Sequence, residues 1–150
     1  MAKQPRNVQP TPHEPEPPLF TVRPLPQALR ESRVGGELFR TPDEVLWVVS
    51  QLKLLRHWPL DKKKQEVLES DLDFSKVVYD GETFFELRLD DARLHQKNLR
   101  VFFWVPDKGR VIWIIHGYWK KSERLKDVVK NRVARRIRDL KGRIQDGSIK

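Results

Sequence analysis

The 150-residue chain has no cysteine, which excludes disulfides, thiolate nucleophiles and cysteine-ligated zinc and suits a reducing cytoplasm. No apolar run approaches the ~20 residues that a membrane-spanning helix needs, and the N-terminus has no apolar stretch of the secretory-signal kind. The four histidines, His13, His57, His95 and His116, are scattered. No HExxH or carboxylate cluster gathers metal ligands, so no metal or other cofactor is expected. A nucleophile elbow for a serine triad and a glycine-rich phosphate loop are missing as well. Acidic residues are the minority charge, 21 against 30 Lys and Arg, for a formal net charge of +9.

What is present is uneven. Residues 122–150 hold ten basic and four acidic side chains, two-thirds of the whole excess. A positive field focused on one element attracts a polyanion, of which nucleic acid is the commonest; the alternative is a well-solvated helix face. Six of the eleven prolines fall within residues 1–18, in a segment too poor in apolar side chains to offset its ordering entropy; it reads as a disordered or extended arm. Five tryptophans and seven phenylalanines argue for a folded core beyond it, and the length for one domain, over about 19–146, followed by a short tail at 147–150.

The chain is organised around Arg110–Lys121, RVIWIIHGYWKK. Its apolar run Val111–Ile115 predicts a strand buried on both faces. A second such run, Leu99–Val105, precedes it across Pro106-Asp107-Lys108-Gly109, a turn-forming loop that predicts an antiparallel hairpin. After Lys121, Ser122 is placed to cap a helix with apolar residues at Leu125, Val129, Val133, Ile137 and Leu140. Upstream, Leu19–Val22 reads as an edge strand ended by Pro24 and Pro26, and Gln27–Ser32 as a helical turn. Thr41, Pro42 and Glu44 form the N-cap, first position and capping box of a helix with Val45, Val48, Val49, Leu52 and Leu55 on one side. Asp61 caps a second helix. Val77–Tyr79 and Thr83–Leu89 read as strands around the turn signal Asp80-Gly81; in the latter, Phe85, Leu87 and Leu89 alternate with Glu86 and Arg88. The expected fold is α+β: a small antiparallel sheet with two N-terminal helices and a C-terminal helix packed on it.

The chemistry-bearing side chains gather at strand ends: Arg88, Arg100, His116, Tyr118, Lys120 and Lys121. Such a set can cut RNA without a metal. A base deprotonates the ribose 2′-OH, cations stabilise the charge on the phosphorane, and an acid protonates the leaving 5′-oxygen. His116 could act as base or acid, the arginines grip phosphate bidentately, and Tyr118 stacks on a base or donates a proton. Each also has a structural reading: His116 as a hydrogen-bonded strand-end residue, Tyr118 as a lid on the core, Arg88 as a partner of Glu86 or Asp90, the lysines as ordinary solvated residues.

In series, FELRL (Phe85–Leu89), LRVFFWV (Leu99–Val105) and IIHGYWKKS (Ile114–Ser122), followed by a charged helix, resemble the HigB-like branch of the RelE/ParE toxin superfamily over roughly residues 80–144. The resemblance implies a compact RelE-like domain that cleaves mRNA on the ribosome, a phage-related toxin silenced by a helix-turn-helix antitoxin protein. On the matching motif positions it implies a catalytic set of Arg88, Arg100, His116, Tyr118, Lys120 and Lys121; the concentration of positive charge separately makes Arg124, Lys126, Lys130, Arg132, Arg135 and Arg136 of the terminal segment the candidates for binding nucleic acid. The chain departs from the family pattern at Leu99, where an aromatic is usual, at Tyr118 for Phe and at Ser122 for Thr. The proline-rich arm and an insert at about residues 23–40 are extra. Those additions also fit a non-catalytic regulator of the same fold that binds RNA polymerase, the ribosome or nucleic acid.

Overall fold

In the computed structural model, residues 18–122 and 125–149 are described; the proline-rich arm and Arg124 lie outside them. Strand β1 (Thr21–Pro24) leads into the short helix α1 (Pro26–Glu31). Then come α2 (Pro42–Leu52), a 3-10 turn (Lys53–His57) and α3 (Lys62–Val67). Strands β2 (Asp73–Tyr79), β3 (Glu82–Leu89), β4 (Leu99–Trp104) and β5 (Val111–Trp119) follow, and α4 (Asp127–Gln145) closes the chain. The strands make one sheet in the order β1-β5-β4-β3-β2. The expected α+β layout holds, with one addition: β1 pairs with β5 in parallel, so the sheet is mixed. Strand β1 joins at the far edge, beside the last strand formed, and lies parallel there because it enters the sheet from the opposite end to a hairpin partner.

Local chemistry accounts for most boundaries. The Thr41 hydroxyl accepts the Glu44 N–H and the Glu44 carboxylate accepts the Thr41 N–H, closing the capping box of α2. Asp61 caps α3 by accepting the Lys64 N–H at 2.7 Å. Gly81 and Gly109 sit at φ +80° and +79° in the two hairpin turns, where a Cβ would be strained. Ser122 does not cap the terminal helix. Its N-cap is Lys126, in extended backbone with no side-chain cap bond, and Leu125 belongs to the lead-in. Asp127 in the first turn suits the positive end of the helix dipole. At the other end residues 147–149 turn back instead of trailing off, the Ile149 N–H donating to the Arg143 carbonyl at 3.1 Å.

Two apolar layers sandwich the sheet. On the α2 side Trp58 packs against Phe74, Phe85 and Phe103 with centroids 5.0–5.4 Å apart. On the α4 side Phe84 and Phe102 lie edge to face, and Val129, Val133, Ile137 and Leu140 of α4 are buried. Residues 31–40 run along the open edge of β5 beyond the end of β1. Leu38 accepts the Trp119 indole N–H at 3.0 Å, so a strand edge that would otherwise template aggregation is covered.

Glu44 does more than cap. It is 1% exposed and accepts the backbone N–H of Arg40 (2.7 Å) and of His95 (2.6 Å), besides bonding the His95 ring at Nδ1. Burial alone would raise the pKa of this carboxyl, but these hydrogen bonds outweigh burial and lower it. An ionised carboxylate only accepts, so His95 carries its proton on Nδ1. Replacing Glu44 by Ala strands these donors in the interior and should cost about 3–5 kcal/mol, read as a lower urea midpoint with unchanged slope; a cost under about 1 kcal/mol would show that the network is not holding the fold.

Candidate nucleic-acid interface

The antiparallel register writes two side-chain rows across one face of the sheet. Asp73, Arg88, Arg100 and Tyr118 are successive cross-strand partners; so are Ser75, Glu86, Phe102 and His116. Arg88 is tethered from three sides, to Asp73 Oδ1 (3.0 Å), Ser75 Oγ (2.8 Å) and Glu86 Oε1 (3.6 Å). Arg100 Nε faces Glu86 Oε2 at 3.6 Å, an ion pair without a hydrogen bond. Glu86, 4% exposed, therefore lies between two guanidinium groups and fixes both.

Beyond the first row, the Asn98 carbonyl accepts the Lys120 N–H at 2.9 Å, setting where the chain leaves the sheet. Arg88, Arg100, Lys120 and Lys121 then line one depression of about 450 Å³ with Asn98 and Ser122. No carboxylate among the described residues pairs with Lys120 or Lys121. A second depression, also of about 450 Å³, adjoins it; His116, Tyr118, Trp119 and Arg132 line it with residues 36–40, and Lys121 belongs to both. The Tyr118 hydroxyl is pushed up to about 12 by burial and by the charge of Glu86, partly opposed by Arg100. It stays protonated at any ordinary pH and serves as a hydrogen-bond donor.

His116 is 2% exposed. Its Nδ1 lies 2.9 Å from Glu31 of α1, whose other oxygen accepts from Arg136 Nη2 at 2.8 Å; Arg136 Nη1 also donates to the Ile115 carbonyl at 2.9 Å. Burial opposes ionisation of Glu31, but the hydrogen bonds from His116 and Arg136 and the adjacent guanidinium charge win and hold its pKa at about 2. The carboxylate is thus an acceptor only and Nδ1 is the protonated nitrogen. Nε2 is left buried with no partner, the geometry of an oriented imidazole whose second nitrogen is uncommitted.

Of the twelve candidate residues, the structure brings Arg88, Arg100, Lys120 and Lys121 together, with His116 and Tyr118 in the adjoining depression. The basic helix divides. Arg132 and Arg135 are exposed, as is Lys126 at the cap. Lys130 is half-buried, 3.6 Å from Asp127 and over the Tyr79 ring. Arg136 is occupied by Glu31 and the β5 backbone, an interior tie between elements and not a solvent-facing group. Sequence reasoning missed Glu31, which meets His116 across 85 residues with no local pattern to announce it, and it left Glu86 as a surface partner when it is buried. Among the described residues no cluster of three or more His, Asp or Glu is placed to hold a metal, and no helix is long and apolar enough to cross a membrane.

Fold and site together define an α+β protein with a cationic sheet end. Comparison with protein-family models, with curated proteins and with solved structures finds no match to the chain.

The Glu31 pKa makes a pH test. In the unfolded chain this group titrates near its ordinary value of 4.5 and in the folded protein near 2, so between those values the unfolded state binds more protons and stability falls as the pH drops. Glu31→Gln should flatten the fall in stability between about pH 4.5 and 2, measured by urea melts at stepped pH; an unchanged profile would remove Glu31 from the acid response.

Proposed function

We propose that the protein is a metal-independent endoribonuclease of the toxin type, acting on mRNA at the ribosome in the cytoplasm and silenced by a helix-turn-helix antitoxin. The observation that supports this reading most is the meeting of Arg88, Arg100, Lys120 and Lys121 at one depression. The reaction is attack of the ribose 2′-oxygen on the adjacent phosphorus. The P–O bond to the 5′-oxygen breaks, leaving a 2′,3′-cyclic phosphate, and the departing oxygen takes a proton from solvent water to become the 5′-hydroxyl. Arg100 and Lys121 offset the extra charge on the phosphorane, and the Tyr118 hydroxyl donates a hydrogen bond to it. His116, with Nδ1 held by Glu31, presents Nε2 as the proton acceptor once its ring is uncovered.

A specific observation favours a second reading, the non-catalytic binder of RNA, the ribosome or RNA polymerase. His116 is shielded from solvent, and neither a histidine nor a carboxylate lines the cationic depression. A depression of cations alone binds phosphate without cutting it.

Purified protein incubated with mRNA, with and without ribosomes, separates the two. Cleavage leaving cyclic-phosphate ends, slowed about 100-fold or more in Arg100→Ala and Lys121→Ala, supports the nuclease. RNA bound but intact in both conditions supports the binder. Four phosphate contacts predict a log–log salt slope of about −3 on single strands, and Lys121→Ala should reduce it by about 0.7. A slope near zero would sink both readings.

A further inference from the structure

We infer that the second depression is a nucleobase site selective for guanine, with Glu37 reading the base. The inference deepens the proposed RNA binding and rests on it. Arg100 of the cationic depression and Tyr118 of the second are direct cross-strand partners, about 5 Å apart in such a pair, and Lys121 lines both hollows. A nucleotide whose phosphate sits among the cations therefore places its own base, or the next one, in the second hollow.

That hollow, at about 450 Å³, is of ligand size and differs in character from the first. It has aromatic walls: Tyr118, and Trp119 held by its indole bond to Leu38 and by ring contacts with Phe39 and His95. Unstacked RNA bases are bound on such surfaces. It also holds Glu37, a carboxylate, which the lining of the cationic depression lacks. Glu37 is exposed, and no hydrogen bond or ion pair to a described residue engages its carboxylate. The same is true of the Arg40 guanidinium and the Gln96 amide, which line the hollow beside it.

A carboxylate repels a second phosphate, so the hollow suits a neutral base. Among the four RNA bases, guanine alone presents two adjacent donors, N1–H and N2–H, that one carboxylate takes as a pair. Its O6 and N7 acceptors match a guanidinium such as that of Arg40. Uracil offers one such donor, and adenine and cytosine one amino group each.

The test is binding of the four nucleoside 5′-monophosphates and of inorganic phosphate to the full chain, followed by Trp fluorescence or NMR. GMP should bind roughly 5- to 100-fold more tightly than UMP or AMP, the range of one bidentate base contact. Glu37→Gln should abolish that preference and leave phosphate binding unchanged or slightly tighter. Equal binding of all four nucleotides, preference for another base, or a GMP preference that survives Glu37→Gln would overturn the inference while the phosphate site stands. If neither phosphate nor any nucleotide binds, the RNA-binding reading falls with it. Glu37 is exposed, so the substitution leaves the fold intact, checked by an unchanged circular-dichroism melt.

Discussion

One buried carboxylate, Glu44, joins parts of the chain that the sheet alone would leave loose. It accepts the N–H groups of Arg40, Thr41 and His95 and the His95 ring at once. Through it the N-terminus of α2, the loop over residues 36–40 and the connector between β3 and β4 share one anchor. A buried ion is costly unless its hydrogen-bonding capacity is filled, and then it fixes geometry more than it adds stability. Glu31 does the same further along, gathering α1, β5 and α4 at His116 and Arg136. The two carboxylates stand at either end of the segment that covers β5. That segment is therefore fastened at both ends by charge, with apolar contacts made by Leu38 and Phe39 between them.

The cationic end of the sheet has the opposite economy. Arg88 and Arg100 face each other directly across β3 and β4, a like-charge pairing that disfavours a sheet. Glu86 lies within 3.6 Å of each and Asp73 holds the outer one, which makes the pairing tolerable without discharging it. Lys120 and Lys121 then add two cations with no acid of their own among the described residues. Such an arrangement is preorganised for an anion: the repulsion is already built into the folded state, and a phosphate relieves it with little rearrangement of the side chains.

How much of this was legible follows from the distance over which each signal acts. The capping box of α2, the Asp61 cap, the alternation in β3 and the glycine turns are written within a few residues, and the structure has them where the sequence puts them. The cationic set was legible because register is also nearly local: once β3, β4 and β5 pair through short connections, Arg88, Arg100 and Tyr118 must share a row. The parallel pairing of β1 was not legible, because it joins Thr21 to Val111 with no turn to fix direction. Nor was the fate of Arg136. Counting charge treats every Lys and Arg of a helix as solvated, yet Arg136 adjoins the buried stripe of Val133 and Ile137, and a carboxylate from 105 residues away draws it inward. Ser122 was read as a cap because it precedes a charged, periodic stretch, but the helix takes its start from where α4 first packs, at Val129.

The anchoring of the fold and the composition of the second depression turn out to be one arrangement. The backbone of Arg40 and both the backbone and ring of His95 end on Glu44, while both residues line that depression. His116, in the same lining, is held by Glu31. Three of its walls are therefore positioned by two carboxylates, Glu44 buried and Glu31 partly so, that need contact no ligand. A wall carried on a loop is ordinarily mobile, and a mobile wall loses affinity to the entropy of ordering it. Here that entropy has already been lost in folding, since residues 36–40 cannot leave the edge of β5 without also stripping donors from Glu44. The shape of the sheet end thus depends on residues that no inspection of its surface charges would single out.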